Sequence, residues 1–148
     1  MLTRAAIEGL IPHQGDSCLL DHVVDWTAET IRCGAVSHGD PNNPLCTNGR
    51  LGVVAGLEYG LQAMALHGAL LDDGNAQPVG YLASARDVRL HAERLDDPAH
   101  GTLVVEATRE SGDAAGQVYA VAVRSEAGTS LVSARVAIIF PKPESGRS

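Results

Sequence analysis

The hydrophobic pattern of this chain is helical in one long stretch and strand-like on either side of it. Residues 54–71, VAGLEYGLQAMALHGALL, are apolar almost all the way round a helix, and the following DDGNAQP ends it. Before this helix, LTRAAIEGLI predicts a short N-terminal helix that stops at Pro12. Six further stretches predict strands: SCLLDHVVDWT, TIRCGAVS, VGYLASARDVRLH, GTLVVEATRE, GQVYAVAVRS and TSLVSARVAIIF.

These elements predict an α+β fold with one long central helix, from roughly Leu51 to Leu71, wrapped by a curled antiparallel sheet of about six strands. A helix that is apolar on nearly all sides needs cover on nearly all sides, and such a sheet supplies it. HGDPNNPLCTNG, dense in Gly, Pro and Asn, is a loop. We expect a single domain over residues 1–148, in which residues 141–148 form a polar, frayed tail.

Composition narrows the possible functions. The net charge is -7, from 18 acidic and 11 basic residues, and no cluster of bases is present, so we expect no nucleic-acid partner. No leader-like segment or membrane-length apolar run is visible, so we expect a soluble, cytoplasmic protein without a membrane partner. The three cysteines have no metal-site or disulfide spacing and are expected to be free thiols. No phosphate-binding or dinucleotide motif appears, so we expect no metal and no cofactor.

Glu58 is the chemical anomaly of the central helix. A carboxylate that such a helix buries must be paired, protonated or put to use. Arg50, Arg86 and Arg89 are possible ion-pair partners that would make it structural. Gln62 follows one turn later on the same face, where it can bond Glu58 either as a structural pair or to orient the acid.

The sequence resembles the 3-hydroxyacyl-acyl-carrier-protein dehydratases of the FabZ type. LIPHQGDSCLLDHVVDW is similar to the opening segment of that family, with Gln14 and His22 in place of two basic residues. NNPL, AGLEYGLQAMA and VGYLASARDVRLHAERLDDPAHGTLVVEA match later segments in order and spacing, from about Ile11 to Phe140. Within the family, the subgroup found with aryl-polyene and other pigment pathways is most similar, because its helix also has Gly-hydrophobic-Glu-Tyr. The resemblance implies a hotdog fold.

The resemblance also implies the chemistry of a site. Glu58 falls on the family's catalytic Glu, and apolar surroundings would favour its protonated form, which suits a proton donor. Dehydration also needs donors that polarise the thioester carbonyl, for which the family uses backbone N–H groups at the start of the helix. Gly49, Gly52 and Gly56 surround that position here, where close helix packing is the alternative explanation for the glycines.

The family's catalytic histidine has no direct equivalent. It lies in a Gly-His-Phe-Pro loop, and counting back roughly fourteen residues from Glu58 reaches Pro44. His13 is the preferred substitute, because the Pro-His segment of the family lies near the mouth of the acyl tunnel, and a His that satisfies turn backbone is the alternative. His38 is expected in a surface loop and His67, nine residues after Glu58, on the opposite side of the helix as a packed or interface His. Solvated rings are expected for His22, His91 and His100.

Three functions remain open from the sequence. The first is a lyase that dehydrates a 3-hydroxyacyl thioester, bound to acyl carrier protein or CoA, in fatty-acid or polyketide-like biosynthesis, with Glu58 as acid and His13 as base. The second is a hotdog thioester hydrolase, whose helix carboxylate activates water. The third is a non-catalytic subunit that pairs with an active paralogue. The resemblance implies a homodimer or a higher homo-oligomer, with active sites along the interface, and the third function would make it a heteromer with a paralogue.

Overall fold

Six antiparallel strands form one sheet in the computed structural model of the protein, which describes residues 2–73 and 81–140. The order of the strands across the sheet is β1-β2-β4-β5-β6-β3. The strands are β1 (His22–Trp26), β2 (Thr30–Ala35), β3 (Tyr81–Leu90), β4 (Leu103–Gly112), β5 (Gly116–Arg124) and β6 (Ser130–Ile139).

Two α-helices accompany the sheet. The short α1 (Arg4–Glu8) begins at Thr3, whose side chain accepts the N–H of Ala6. The long α2 (Gly56–Leu71) lies against the sheet and follows a 3-10 turn at Val53–Ala55. The predicted α+β architecture, with one central helix and six strands, is confirmed.

Two glycines let α2 approach the sheet closely. A Cβ at Gly56 would lie 2.4 Å from Cγ1 of Val132 on β6, and one at Gly60 would lie 2.8 Å from Cβ of Val121 on β5. Both separations are shorter than normal contacts, so the backbone of the helix sits where side chains would otherwise hold it away. The sheet-facing side of α2 is therefore fully buried, with Tyr59, Ala63 and His67 at 0% exposure.

The first strand is shorter than predicted. The pattern gave a strand over residues 17–27, but residues 18–20 are buried irregular chain after a 3-10 turn at Gly15–Ser17. The N–H of Leu19 donates to the side chain of Gln62 on α2 at 2.8 Å, not to a neighbouring strand. A side-chain bond across 43 residues of sequence replaces the pairing that the local pattern predicted.

Strand β3 is an exposed edge of the sheet. Every residue of it is exposed or half-buried, including Tyr81 at 65% and Leu82 at 51%. Its pairing with β6 shifts register between Leu82 and Ser84 and again between Arg86 and Arg89, where Asp87 has a φ of 54°. The edge is thus irregular as well as open.

Some predictions fall outside this description. The end of DDGNAQP beyond Asp73, the start of the third predicted strand at residues 79–80 and the tail at 141–148 lie outside the described residues. The single-domain assignment for residues 1–148 stays a prediction. None of the helices in the described part of the chain is long and apolar enough to cross a membrane.

Candidate active site

Two adjoining clefts run along the side of α2 that the sheet does not cover. The first, of about 420 Å³, lies between α2, the N-terminal segment and the ends of β3, β5 and β6, and has a mostly apolar wall. The second, of about 580 Å³, lies between the start of α2, the loop before it and β3. Both clefts are lined by Glu58, Leu61 and Leu82, so Glu58 stands where they meet. We call the two together the groove.

Glu58 is on the open face of the helix. The prediction that it is buried is wrong for the chain by itself, since its side chain is exposed. The physical reason is that the sheet covers only one side of α2, and the opposite side, although apolar, faces the groove. None of the described residues forms an ion pair with Glu58, so the structure gives no support to pairing with Arg50, Arg86 or Arg89.

His13 lines the same cleft as Glu58. Its ring is half-buried, and its Nδ1 atom is buried with no hydrogen-bond partner among the described residues. The alternative in which the ring satisfies turn backbone through Nδ1 is therefore not observed. The structure brings together the two residues predicted to be catalytic, which are 45 positions apart in sequence.

Gln62 also lines this cleft, but its amide is bonded elsewhere. Its Oε1 accepts the N–H of Leu19 at 2.8 Å, and its Nε2 donates to the carbonyl of Ser17 at 2.7 Å. The side chain is only 4% exposed. The expected bond between Gln62 and Glu58 is not formed, because the amide is turned to the backbone of the N-terminal segment.

The three glycines near the start of α2 have different surroundings. Gly49 has a φ of 72° and follows Asn48, at 52°, in a tight turn closed by bonds between Thr47 and Arg50. This conformation explains the glycine without a ligand. Gly52 lines the second cleft beside Glu58. The N–H of Gly56 already donates to the carbonyl of Val53. The close packing of Gly56 against the sheet explains why a glycine is present there. Gly52 is the best placed of the three for a substrate.

Two other histidines are buried. His67 lies on the sheet side of α2, as the packed residue that was expected, and is 0% exposed. Its Nε2 donates to the carbonyl of Thr27 at 2.8 Å, and its Nδ1 accepts the hydroxyl of Tyr119 at 2.6 Å. Burial lowers the pKa of His67, and the bond to Thr27 opposes this shift.

The prediction of a surface position for His38 is wrong, since its side chain is 7% exposed. Burial lowers its pKa, while a hydrogen bond to the backbone of Gly101 acts in the opposite direction. His38 lines neither cleft of the groove. The structure therefore gives it no place in the candidate site.

A polar network beside Glu58 was not predicted. The hydroxyl of Tyr59 bonds Ser37 Oγ at 2.8 Å and accepts Nδ2 of Asn43 at 3.0 Å, and Ser37 Oγ donates to the carbonyl of Leu19 at 2.7 Å. The network fixes the loop that leads to the second cleft. The sequence contains no clear signal for it, because Asn43 lies in the loop HGDPNNPLCTNG like its neighbours and only the structure shows it at 5% exposure.

No cluster of metal-binding side chains was found among the described residues. The chemical groups of the site are a carboxylate, an imidazole, exposed backbone and an apolar wall. Such a groove suits a substrate with an apolar chain and a polar reacting centre.

The fold and this site define the class of protein. A long helix on a curled six-stranded antiparallel sheet, with a carboxylate on the helix, is the hotdog fold. Residues 5–147 match the family described as "ApeP-like: ApeP dehydratase", and the chain belongs to that family. The predicted resemblance to hotdog dehydratases of the aryl-polyene type is thereby confirmed.

Solved structures agree on the fold. A chain of the dehydratase heterocomplex ApeI:P from Xenorhabdus doucetiae is 18% identical, with a TM-score of 0.77 over 96% of this chain and 93% of that one. AziG from S. sahachiroi is 15% identical, with a TM-score of 0.58 over 82% and 91%. A thioesterase from Haemophilus influenzae is 12% identical, with a TM-score of 0.58 over 86% and 82%. Among curated proteins, none matches the sequence.

Proposed function

We propose that this protein dehydrates a 3-hydroxyacyl thioester to the 2-enoyl thioester. The observation that carries the proposal is that Glu58 and His13 line one apolar cleft, in a chain of the ApeP-like dehydratase family. The apolar wall, formed in part by Leu61, Met64 and Ile138, suits an acyl chain.

In the proposed reaction the two side chains act on adjacent carbons. His13 takes a proton from C2, the electron pair of the broken C–H bond forms the C2–C3 double bond, and the C3–O bond breaks. Glu58 gives its proton to the departing hydroxyl, which leaves as water. His13 Nδ1 is buried, so Nε2 is the nitrogen that can take the proton. The N–H of Gly52, which lines the second cleft just before the 3-10 turn that leads into α2, would polarise the thioester carbonyl.

The exposure of Glu58 bears on how it works. A carboxyl still carries a proton to donate near neutral pH when water is excluded around it, because desolvation disfavours the ionised form. In the chain alone the groove is open at Glu58, so the substrate, a second chain or both must exclude water there.

The test is turnover by the purified protein of a 3-hydroxyacyl thioester, presented on acyl carrier protein and on CoA, with the 2-enoyl product measured directly. We expect Glu58→Gln to lower kcat by at least about 100-fold, the usual scale of general acid catalysis, and His13→Gln to lower it similarly. Glu29→Gln, an exposed acid at the β1–β2 hairpin, is the matched control and should have wild-type kcat. Full activity of the Glu58→Gln variant would refute the assignment.

Thioester hydrolysis is the second candidate, supported by the thioesterase from Haemophilus influenzae among the solved structures of the same fold. A hydrolase needs only the carboxylate to activate water. It would release one free thiol for each acyl thioester consumed, whereas dehydration releases none. A thiol-reactive dye added to the same assay distinguishes the two.

We also propose that the chain works in an oligomer, either a homodimer or a pair with a paralogous hotdog chain. The exposed edge strand β3 supports this, because Leu82 belongs both to that edge and to the wall of the groove. The similar chain from Xenorhabdus doucetiae is part of a heterocomplex. Light scattering of the purified protein, alone and mixed with a co-expressed paralogue, tests it. A chain without turnover that activates its paralogue would be the non-catalytic subunit.

A further inference from the structure

Gln62 joins α2 to the segment that carries His13. Its amide oxygen accepts from Leu19 N–H at 2.8 Å, and its amide nitrogen donates to the Ser17 carbonyl at 2.7 Å. The Gln62 side chain is 4% exposed; its bond to Leu19 is buried and its bond to Ser17 is partly buried, and shielding from water strengthens such bonds. The oxygen and the nitrogen of one side-chain amide therefore both hold this segment on the helix, and we call this pair of bonds the clamp.

The clamped segment, residues 11–19, is here called the arm. It is not part of the sheet, and its own bonds tie it to α1. The guanidinium of Arg4 donates to the carbonyls of Gly15 and Cys18 at 2.8 and 2.7 Å, and the N–H of Gly15 donates to the carboxylate of Glu8 at 2.7 Å. The arm and α1 thus form one unit, whose position on α2 depends on how it is attached there.

Direct hydrogen bonds between this arm and α2 come from Gln62 alone among the described residues. A second, indirect connection runs from Leu19 through Ser37 to Tyr59. The ring of His13 has no bond of its own at Nδ1 to fix it. Its location over the groove is consequently set by the backbone of the arm.

We propose that Gln62 is a positioning residue that sets the place of His13 relative to Glu58. Gln62 and Glu58 stand one helical turn apart, about 6 Å along the axis, so one rigid helix carries both the acid and the clamp on the segment of the base. A displacement of about 1 Å between reacting groups can lower a rate by about 100-fold. This inference rests on the proposed dehydration, and it gives Gln62 the alignment of the base where the sequence suggested a bond to the acid.

Two substitutions test the hydrogen bonds of Gln62 separately from the size of its side chain. Gln62→Met keeps the length of the side chain and removes both bonds. Gln62→Glu keeps an acceptor for Leu19 N–H but places a carboxylate oxygen against the Ser17 carbonyl, which repels it. We expect either variant to lower kcat at least 10-fold while KM changes less than 3-fold, because the substrate still binds the same apolar wall.

The matched control is Tyr59→Phe. It also removes buried hydrogen bonds from α2, but those bonds hold the loop containing Ser37 and Asn43 and reach the arm only through Ser37, whose own bond to the Leu19 carbonyl the variant keeps. It should destabilise the fold and leave kcat within 3-fold of wild type. A Tyr59→Phe variant that loses as much kcat as Gln62→Met at the same loss of stability would show that Gln62 acts only through general stability.

A double-mutant cycle tests whether Gln62 acts through His13. If it does, adding Gln62→Met to His13→Gln should lower kcat no further. Additive losses would overturn the proposal, even if both single variants are impaired. A wild-type protein that turns over while His13→Gln has no effect would instead refute the role of His13 in the proposed function.

Hydrogen exchange gives a readout that does not require turnover. In Gln62→Met, amides of the arm, Leu19 above all, should exchange at least 10-fold faster than in wild type, while those of the Ser37–Asn43 loop change little. In Tyr59→Phe the order should be reversed. Unchanged exchange in the arm of Gln62→Met would refute the clamp itself, whether or not the protein is a dehydratase.

Discussion

The two sides of α2 are both apolar, but the polar groups on one side are hydrogen-bonded and some of those on the other side have no described partner. On the sheet side, His67 has a partner at each ring nitrogen, and the Tyr59 hydroxyl has two. On the groove side, Glu58 has no bonded partner among the described residues, and the Nδ1 of His13 has none there either. Buried polar groups in proteins are normally hydrogen-bonded, so the buried Nδ1 of His13, without a described partner beside a cleft, indicates binding or catalysis; Glu58 is exposed to the same cleft.

The comparison also shows why burial alone is a poor guide to function. His67 is the most buried histidine of the chain as described and is explained by its bonds, whereas His13 is half-buried and is not. The distinguishing property is an unbonded ring nitrogen together with a place on the groove, since the Nδ1 of His38 also lacks a described partner but His38 lines neither cleft. Substitutions on the sheet side and on the groove side of α2 test this difference.

The largest effect is expected from removing each histidine in turn. His67→Ala should lower the free energy of unfolding by about 3–5 kcal/mol, because it leaves a cavity and strips the buried Tyr119 hydroxyl and Thr27 carbonyl of their partner. His13→Ala should change it by less than about 0.5 kcal/mol, since no bond is lost at Nδ1. Urea unfolding followed by circular dichroism, at one protein concentration, measures both. Equal losses would remove the distinction between the two sides.

A smaller effect is expected from two matched glycine substitutions. Gly56→Ala forces a methyl group toward Val132 and should cost about 1–3 kcal/mol of unfolding free energy through overpacking. Gly52→Ala, at the groove, has a φ of -67° and no heavy atom within 4 Å of the added carbon. It should be neutral or slightly stabilising. Thermal melts of the two variants decide, and a Gly52→Ala loss as large as that of Gly56→Ala would contradict the packing difference.

The smallest effect is expected from pH. Burial lowers the pKa of both His67 and His38 in the folded chain, so the unfolded chain binds more protons in mildly acidic solution. The stability is therefore complete above the unfolded pKa of about 6.5 and falls as pH drops below it toward the folded values. Urea midpoints measured from pH 7.5 to 5 should show this decline. It should be weaker in His38→Gln and unchanged in His91→Gln, whose ring is exposed; a flat profile for the wild type would contradict the buried neutral rings.

The architecture was predictable because hydrophobic period alone separates one long helix from six strands. The start of α2 was placed near Leu51, five residues before Gly56, since the 3-10 turn at Val53–Ala55 has the same apolar character as the helix. Strand β1 was extended too far because the bond from Leu19 to Gln62 joins residues distant in sequence. Local pattern contains no information about such a bond.

The candidate site was predictable in its residues and less so in their surroundings. Glu58 and His13 came from the resemblance, and the structure places both on one cleft. The exposure of Glu58 could not be anticipated, because an apolar helix gives no sign of which side the sheet will leave open. The use of the Gln62 amide was equally hidden, since its spacing from Glu58 suggested a bond along the helix.

The irregular pairing of edge strand β3 has a consequence for the chain by itself. Its pairing register is interrupted at Leu82–Ser84 and at Arg86–Arg89, and charged side chains stand beside the second interruption. Straight, uncharged edges recruit further strands without limit, which leads to fibres and precipitates. An edge divided in this way offers only short straight segments to a stray strand. The chain is thereby protected from polymerising through β3.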